Sequence, residues 1–353
     1  MDRMRGFQTM FADGRLTLGL FVPIESYQGS TPTMRHHLAL AQEAERIGFS
    51  AIWMRDVPLL DPSFGDVGQI FDPWVYLGFL AASTHTIALA TGSIVLPLRH
   101  PLHVAKAAAS VDQLSGGRLV LGLASGDRAV EFPAFALDAE ERGERFREAL
   151  AFLRRALEEH FPEIDSPLGL LSGADLIPKP VAGRLPLLIT GSSRQSFEWI
   201  AAHGDGWVTY PRPLAVQAEL AAKWRRLTAE AMPGRFKPFA QSLYIDLAEN
   251  RHAAPTPIHL GFRLGSEPLI DVLRSLQTNG VNHVAFNLKY GHRPAADVLE
   301  ELGSEVLPHF PTPSQRADPN LAHPMYRERL TTAMPPAPAA MSSKPAEVLR
   351  THL

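Results

Sequence analysis

Eight short apolar runs alternate with eight helical patterns along this chain, and that alternation leaves few folds open. The runs are Leu16 to Val22, Ser50 to Met54, Ile87 to Leu96, Arg118 to Leu123, Leu187 to Ile189, Gly206 to Thr209, a stretch within Phe239 to Leu247, and His283 to Leu288. None shows the polar and apolar alternation of a strand with one wet face, so each predicts a strand buried on both faces. Eight such strands with short connections predict a closed (β/α)8 TIM barrel with loop insertions rather than an open doubly wound sheet. The 353 residues suit one such barrel, because folds of this kind reach that size as single domains. The expected organisation is an N-terminal arm over 1–15 that crosses onto the barrel, the barrel over 16–310, and a proline-rich C-terminal extension over 311–353.

The densest information lies between Ile87 and Asp127. An apolar run breaks at Thr91-Gly92-Ser93 and stops at Pro97. A helix with Pro101 in its first turn ends at Gly116-Gly117, and a second buried run ends at Ser125-Gly126-Asp127. In a parallel sheet covered by helices, the C-terminal ends of the strands are where ligands bind. The break at Thr91-Gly92-Ser93 reads either as a bulge or as bare backbone for a flat ring to lie against. Gly191-Ser192-Ser193, between a short strand and a helix, reads either as an ordinary cap or as a cradle for a phosphate. Arg55-Asp56 ends the second strand, and His100 stands at the mouth of the third. Arg55, Arg128, Arg212 and Arg263 all fall at strand ends or in loops of the same face. If two of them face the pocket, an anionic substrate such as a sulfonate or carboxylate is expected, since a guanidinium matches those groups with two parallel bonds. The connection from Phe161 to Leu185 is long enough to be a lid.

Composition removes several classes of function. The chain has no cysteine, which excludes disulfides, thiolate metal sites and cysteine nucleophiles. His100 and His103 lie one helical turn apart, but no third ligand has matching spacing, so no metal site is expected. Lys and Arg total 34 against 37 Asp and Glu, with no dense basic run, so nucleic acid is not an expected partner. No segment has the apolar length of a signal peptide core or a membrane span, and a cytoplasmic protein without membrane association is expected. No Gly-x-Gly-x-x-Gly fingerprint follows a strand, so a nicotinamide Rossmann site is not expected.

Several of these residues together carry a resemblance. Leu96-Pro97-Leu98 with His100-Pro101, Ala105 to Ala109, Asp112, Leu114-Ser115-Gly116-Gly117-Arg118, Gly122 and Ser125-Gly126 resemble the signature region of the bacterial luciferase-like monooxygenases. Glu131, Phe135 and Arg142-Gly143-Glu144-Arg145-Phe146 continue the pattern, and Gly191-Ser192-Ser193 with Gly204-Asp205-Gly206-Trp207 resembles the family's phosphate-binding turn and following strand. The resemblance implies reduced FMN, supplied by a separate flavin reductase, with its phosphate at Gly191, Ser192 and Ser193 and its ring beside Thr91, Gly92, Ser125 and Gly126. It implies oxygenation of a small organic substrate, with Arg55, Asp56, His100, Arg128 and Arg263 as candidate catalytic or substrate residues, and a homodimer by analogy. Luciferases proper are expected to carry histidine near Arg55-Asp56, so light emission and an aldehyde substrate do not carry over. The same family includes enzymes that use the deazaflavin coenzyme F420 for hydride transfer, which is the alternative reading. A flavin-storing barrel without turnover and a phosphate-ligand lyase or isomerase are the remaining readings.

Overall fold

The computed structural model describes residues 4–313. Eight strands form the barrel: β1 (Thr17–Phe21), β2 (Ala51–Met54), β3 (Ala88–Thr91), β4 (Leu119–Ala124), β5 (Leu187–Thr190), β6 (Gly206–Thr209), β7 (Phe239–Leu247) and β8 (His283–Asn287). Each pairs in parallel with the next, from β1 with β2 through β7 with β8. Pairing of β1 with β8, in the register Thr17 to His283, closes the ring.

Both faces of the strands are mostly apolar, yet they differ in side-chain size. On β2 and β3, Ala51, Trp53, Ala88 and Ala90 belong to the inner cluster, while Ile52, Met54 and Leu89 pack outward against the helices. Small residues inside leave room for the fully buried indole of Trp53, and the larger aliphatic ones fill the gap between sheet and helices. Each fully buried Leu or Ile in that outer layer contributes about 1.5–3 kcal/mol relative to exposure.

The helices begin and end where the local chemistry provides for it. Asp72 accepts from the N–H groups of Trp74 and Val75 to start Pro73–Ser83, and Gly116, at φ 68°, ends Pro101–Ser115. Arg118 is buried beneath these two helices and donates to the carbonyls of Ala81, Thr84, Ile87 and Ser115 and to the Thr84 hydroxyl. The arginine of the Leu-Ser-Gly-Gly-Arg run therefore satisfies helix-end carbonyls that would otherwise be unpaired.

The arm over 1–15 contains a short helix, Arg5–Met10, and Met10 and Phe11 join Trp53 in the inner cluster beneath the barrel. There the buried His283 accepts from the Trp53 indole N–H at Nε2 (2.9 Å). The Thr17 hydroxyl donates to the Met10 carbonyl, so the proton on His283 sits at Nδ1 and is given to Thr17 Oγ1 (2.8 Å). The C-terminal extension lies outside the described residues from position 314 onward.

The connection from Phe161 to Leu185 is not a lid. It forms a two-stranded hairpin, Ile164–Ser166 with Gly169–Leu171, and then runs down the outside of the barrel. Its backbone is fastened to outer helices: Gln113 donates to the Lys179 carbonyl, and the Val181 N–H donates to Asp112, both at 2.8 Å. The loop that reaches over the barrel mouth is the one after β2, residues 57–71.

Candidate active site

The C-terminal ends of the strands open into a cavity with two arms. The narrow arm, about 380 Å³, lies between Gly92, Ser93, Ser125 and Gly126 on one side and Thr190 to Arg194 on the other. The wide arm, about 510 Å³, is walled by Phe21, Phe64, Tyr210, Tyr244 and Tyr290. Arg55, Phe64, Gly92, Asp127 and Gly191 line both, so the arms are continuous.

The Thr91-Gly92-Ser93 break is a bulge. Ala90 stands opposite Val120 and Ile94 opposite Leu123, so four steps on one strand match three on its neighbour. The extra residue turns Gly92 and Ser93 into the cavity, and the Gly92–Ser93 peptide bond is cis. Thr91, a candidate cofactor residue by sequence, faces the other way. Its hydroxyl accepts from the Gly122 N–H and donates to the Gly122 carbonyl, both at 2.8 Å, which occupies it in the sheet.

The turn after β5 also differs from the reading by sequence. The helix starts only at Phe197, capped by the Ser196 hydroxyl, and between strand and helix Gly191, Ser193 and Arg194 take left-handed φ values of 58°, 43° and 59°. Three N–H groups of the turn are already used, that of Gly191 by the Val208 carbonyl (2.8 Å), that of Arg194 by the Ser192 hydroxyl (3.3 Å) and that of Gln195 by the Ser192 carbonyl (2.8 Å), so the N–H groups of Ser192 and Ser193 are what the turn can offer an anion. The Ser193 hydroxyl donates to the Thr190 carbonyl (2.8 Å), and the Trp207 indole donates to that of Gly191 (2.8 Å), which fixes the turn. Arg142 and Arg194 line the same arm. Neither was a candidate from sequence alone, although Arg142 opens the Arg-Gly-Glu-Arg-Phe run and Arg194 directly follows the two serines.

At the junction of the arms Asp66, from the loop over 57–71, is a hub. It accepts from the Tyr27 hydroxyl (2.6 Å), the Gly68 N–H (2.8 Å), Arg55 Nη1 (3.0 Å) and the Tyr244 hydroxyl (3.3 Å). Burial works to raise the Asp66 pKa, but the Arg55 charge and these bonds prevail and bring it to about 2. Burial pushes the Tyr244 phenol up to about 12, so it stays a donor. Lys289 fastens the same loop by donating to the carbonyls of Gly29 (2.8 Å) and Gly65 (2.7 Å). Glu131, a buried carboxyl on the narrow arm, is raised to about 7 by burial.

Of the candidate residues, Arg55, Arg128, Gly92, Ser125, Gly126, Gly191, Ser192 and Ser193 line the cavity. Asp56 lines it too, but its carboxylate is taken by a two-point pair with Arg99 (2.7 and 2.9 Å), so it is a structural anchor and not a free acid or base. His100 lies outside both arms. It caps Pro101–Ser115 by accepting from the Leu102 N–H, and its Nε2 meets the Leu168 carbonyl (2.8 Å). Arg263 is also outside, half exposed on the strand Gly261–Leu264 and paired with Asp246 at 3.2 Å. Arg212 lines neither arm. Among the described residues no group of three or more His, Cys, Asp or Glu could hold a metal ion, and no helix is long and apolar enough to cross a membrane.

Residues 16–297 match the family of luciferase-like monooxygenases, and the chain belongs to it. It is 27% identical to the F420-dependent hydroxymycolic acid dehydrogenase of Mycobacterium tuberculosis over 82% of each chain. With the alkanal monooxygenase alpha chain of Photorhabdus luminescens it shares 26% identity over 54% of this chain and 52% of that one. The crystal structure of monooxygenase RslO1 from Streptomyces bottropensis superposes with a TM-score of 0.71 at 19% identity, covering 83% of this chain and 99% of that one, and so shares the fold.

Proposed function

We propose that this member of the luciferase-like family is a flavin-dependent monooxygenase. It would hold reduced FMN in the barrel mouth and use it with oxygen on a small organic substrate. The observation that carries the reading is one continuous cavity with the Gly191 to Arg194 turn at one end, bare Gly92 backbone along the wall, and an aromatic arm beyond. Gly191, Ser192 and Ser193, with Arg142 and Arg194 beside them, would hold the phosphate, and Gly92, Ser125 and Gly126 would bound the ring. Bound reduced flavin supplies the electrons that activate oxygen. The chain's own contribution is to position the ring and keep water out, which is the task of the loop pinned by Asp66. No dinucleotide-binding fingerprint follows a strand, so the reduced flavin would come from a separate reductase.

A second reading, hydride transfer with the deazaflavin coenzyme F420, is favoured by one observation. The relative named for F420 matches this chain over 82% of its length, whereas the alkanal monooxygenase matches over 54%. Anaerobic titration with reduced FMN and, separately, with reduced F420 separates the two. The monooxygenase reading expects reduced FMN to bind the more tightly, and a clear preference for F420 moves the chain to hydride transfer.

A further inference from the structure

We propose that the junction of the two arms receives an organic anion, a carboxylate or sulfonate on an apolar or aromatic body, and that Arg128 and Arg55 select its charge. The proposal rests on the oxidoreductase reading, because the anion would be the substrate of that site.

Two guanidinium groups bond Asp66 there, Arg55 lining both arms and Arg128 the narrow one, and each keeps buried N–H groups that have no acceptor. Arg128 is 6% exposed; it donates through Nη2 to the Asp66 carbonyl (2.5 Å) and lies 4.2 Å from the centre of the Phe64 ring, yet its Nη1 has no partner. Arg55 gives Nη1 to the Asp66 carboxylate, while its Nε and Nη2 are buried and unpaired. That edge of Arg55 packs against the Gly68 backbone, where a Cβ would come within 2.7 Å of Nε. Unpaired buried donors on a charged group are unfavourable, and proteins rarely retain them without a ligand or water to accept from them.

Two of the nearby carboxylates are already committed. Asp66 is shared among Tyr27, Gly68, Arg55 and Tyr244, and Asp56 belongs to Arg99. Asp127 lines both arms but forms no ion pair with either arginine, and Glu131, raised to about 7 by burial, carries only part of a negative charge at neutral pH. A carboxylate or sulfonate offers the parallel oxygens that such donors match, and an uncharged group does not. The aromatic walls of the wide arm suit an apolar body. The cofactor phosphate would have other cations, Arg142 and Arg194, which line the narrow arm and share Glu140 at 3.7 Å.

The test is calorimetric titration of the purified protein, with and without oxidised FMN, using hexanoate and hexane-1-sulfonate against hexanamide and hexan-1-ol. The anions are expected to bind roughly ten- to a hundredfold more tightly than the uncharged probes, as a charge-assisted bond implies. Arg128→Met should abolish that preference and Arg128→Lys should keep part of it, while FMN affinity of Arg128→Met stays within about threefold. Equal binding of anion and amide, no anion binding at millimolar concentration, or a preference that survives Arg128→Met would overturn the proposal. Joint loss of anion preference and FMN affinity would also overturn it, by making Arg128 a cofactor ligand. If Arg128→Met fails to fold, Arg55→Met and Arg128→Lys carry the same comparison. Anion selectivity in a protein that binds neither FMN nor F420 would sink the proposed function and the anion's role as its substrate, while the anion site itself would stand.

Discussion

Thr91 and Gly122 complete a rung of the barrel through a side chain, the threonine hydroxyl both accepting from the Gly122 N–H and donating to its carbonyl at 2.8 Å. The hydroxyl takes over the sheet bonds that the bulge in β3 would otherwise leave open, which frees Gly92 and Ser93 to face the cavity. The approach is close: a Cβ on Gly122 would stand 1.9 Å from the Thr91 carbonyl oxygen. Sheet geometry and pocket geometry are therefore set by the same pair.

Thr91→Val keeps the shape and removes both bonds, leaving a buried N–H and a buried carbonyl unpaired. It should lower unfolding stability by about 1–3 kcal/mol in a urea titration. Gly122→Ala should cost more, because the added carbon has no space. A Thr91→Val protein as stable as the parent would contradict this role.

Ser192→Ala should weaken FMN binding about tenfold or more, at roughly 1.5–3 kcal/mol for one charge-assisted bond lost, whereas the Ser193 hydroxyl already donates to the Thr190 carbonyl and Ser193→Ala acts only through the shape of the turn. Fluorescence titration reads this directly. Unchanged affinity would move the phosphate elsewhere in the cavity.

Arg55→Met should reduce substrate turnover more than cofactor affinity, since Arg55 lines both arms but holds the loop through Asp66. Steady-state kinetics beside a flavin titration separate the two effects. A loss confined to flavin binding would make Arg55 a cofactor ligand.

His100→Ala should leave turnover near that of the parent and lower stability by about 0.5–2 kcal/mol, the usual range for a lost helix cap. A large fall in turnover without loss of stability would return His100 to the site.

Stability should fall in mild acid through His283. Burial lowers its pKa from 6.5 to about 3. The unfolded chain takes up a proton below about pH 6.5 and the folded chain does not until about pH 3, so stability is full above that window and is lost as pH falls through it. The full effect is up to ~5 kcal/mol. His283→Gln can keep an acceptor for Trp53 and a donor for Thr17, and it should flatten the pH dependence across the same window. A variant with the parent's acid profile would place the sensitive group elsewhere.

The fold was legible in the sequence because strands buried on both faces, such as Leu187 to Ile189, carry a signal that loops do not imitate. Helix ends marked by Asp72-Pro73 and Gly116-Gly117 were equally readable. The site was less so. Sequence position located Gly92, Ser125, Gly126 and the Gly191 to Ser193 turn, but it could not show that the Thr91 side chain points into the sheet or that Arg99 occupies Asp56. Both depend on partners distant along the chain. Arg263 fell on the expected face, yet its strand stands beside β7 at the rim, where Asp246 takes its charge. Asp66, the hub of the mouth, sits in a loop without periodicity, and only contacts from Tyr27, Arg55 and Tyr244 reveal it.

The most direct test of the central claim is rapid mixing of the anaerobic complex with reduced FMN into oxygenated buffer, followed by absorbance. Reoxidation slower than that of free reduced flavin is expected, with a transient spectrum that free flavin does not show, because the barrel mouth and the loop over 57–71 would shield the ring from bulk water. Reoxidation at the rate and with the spectra of free flavin, in a protein that holds reduced F420 tightly, would contradict it.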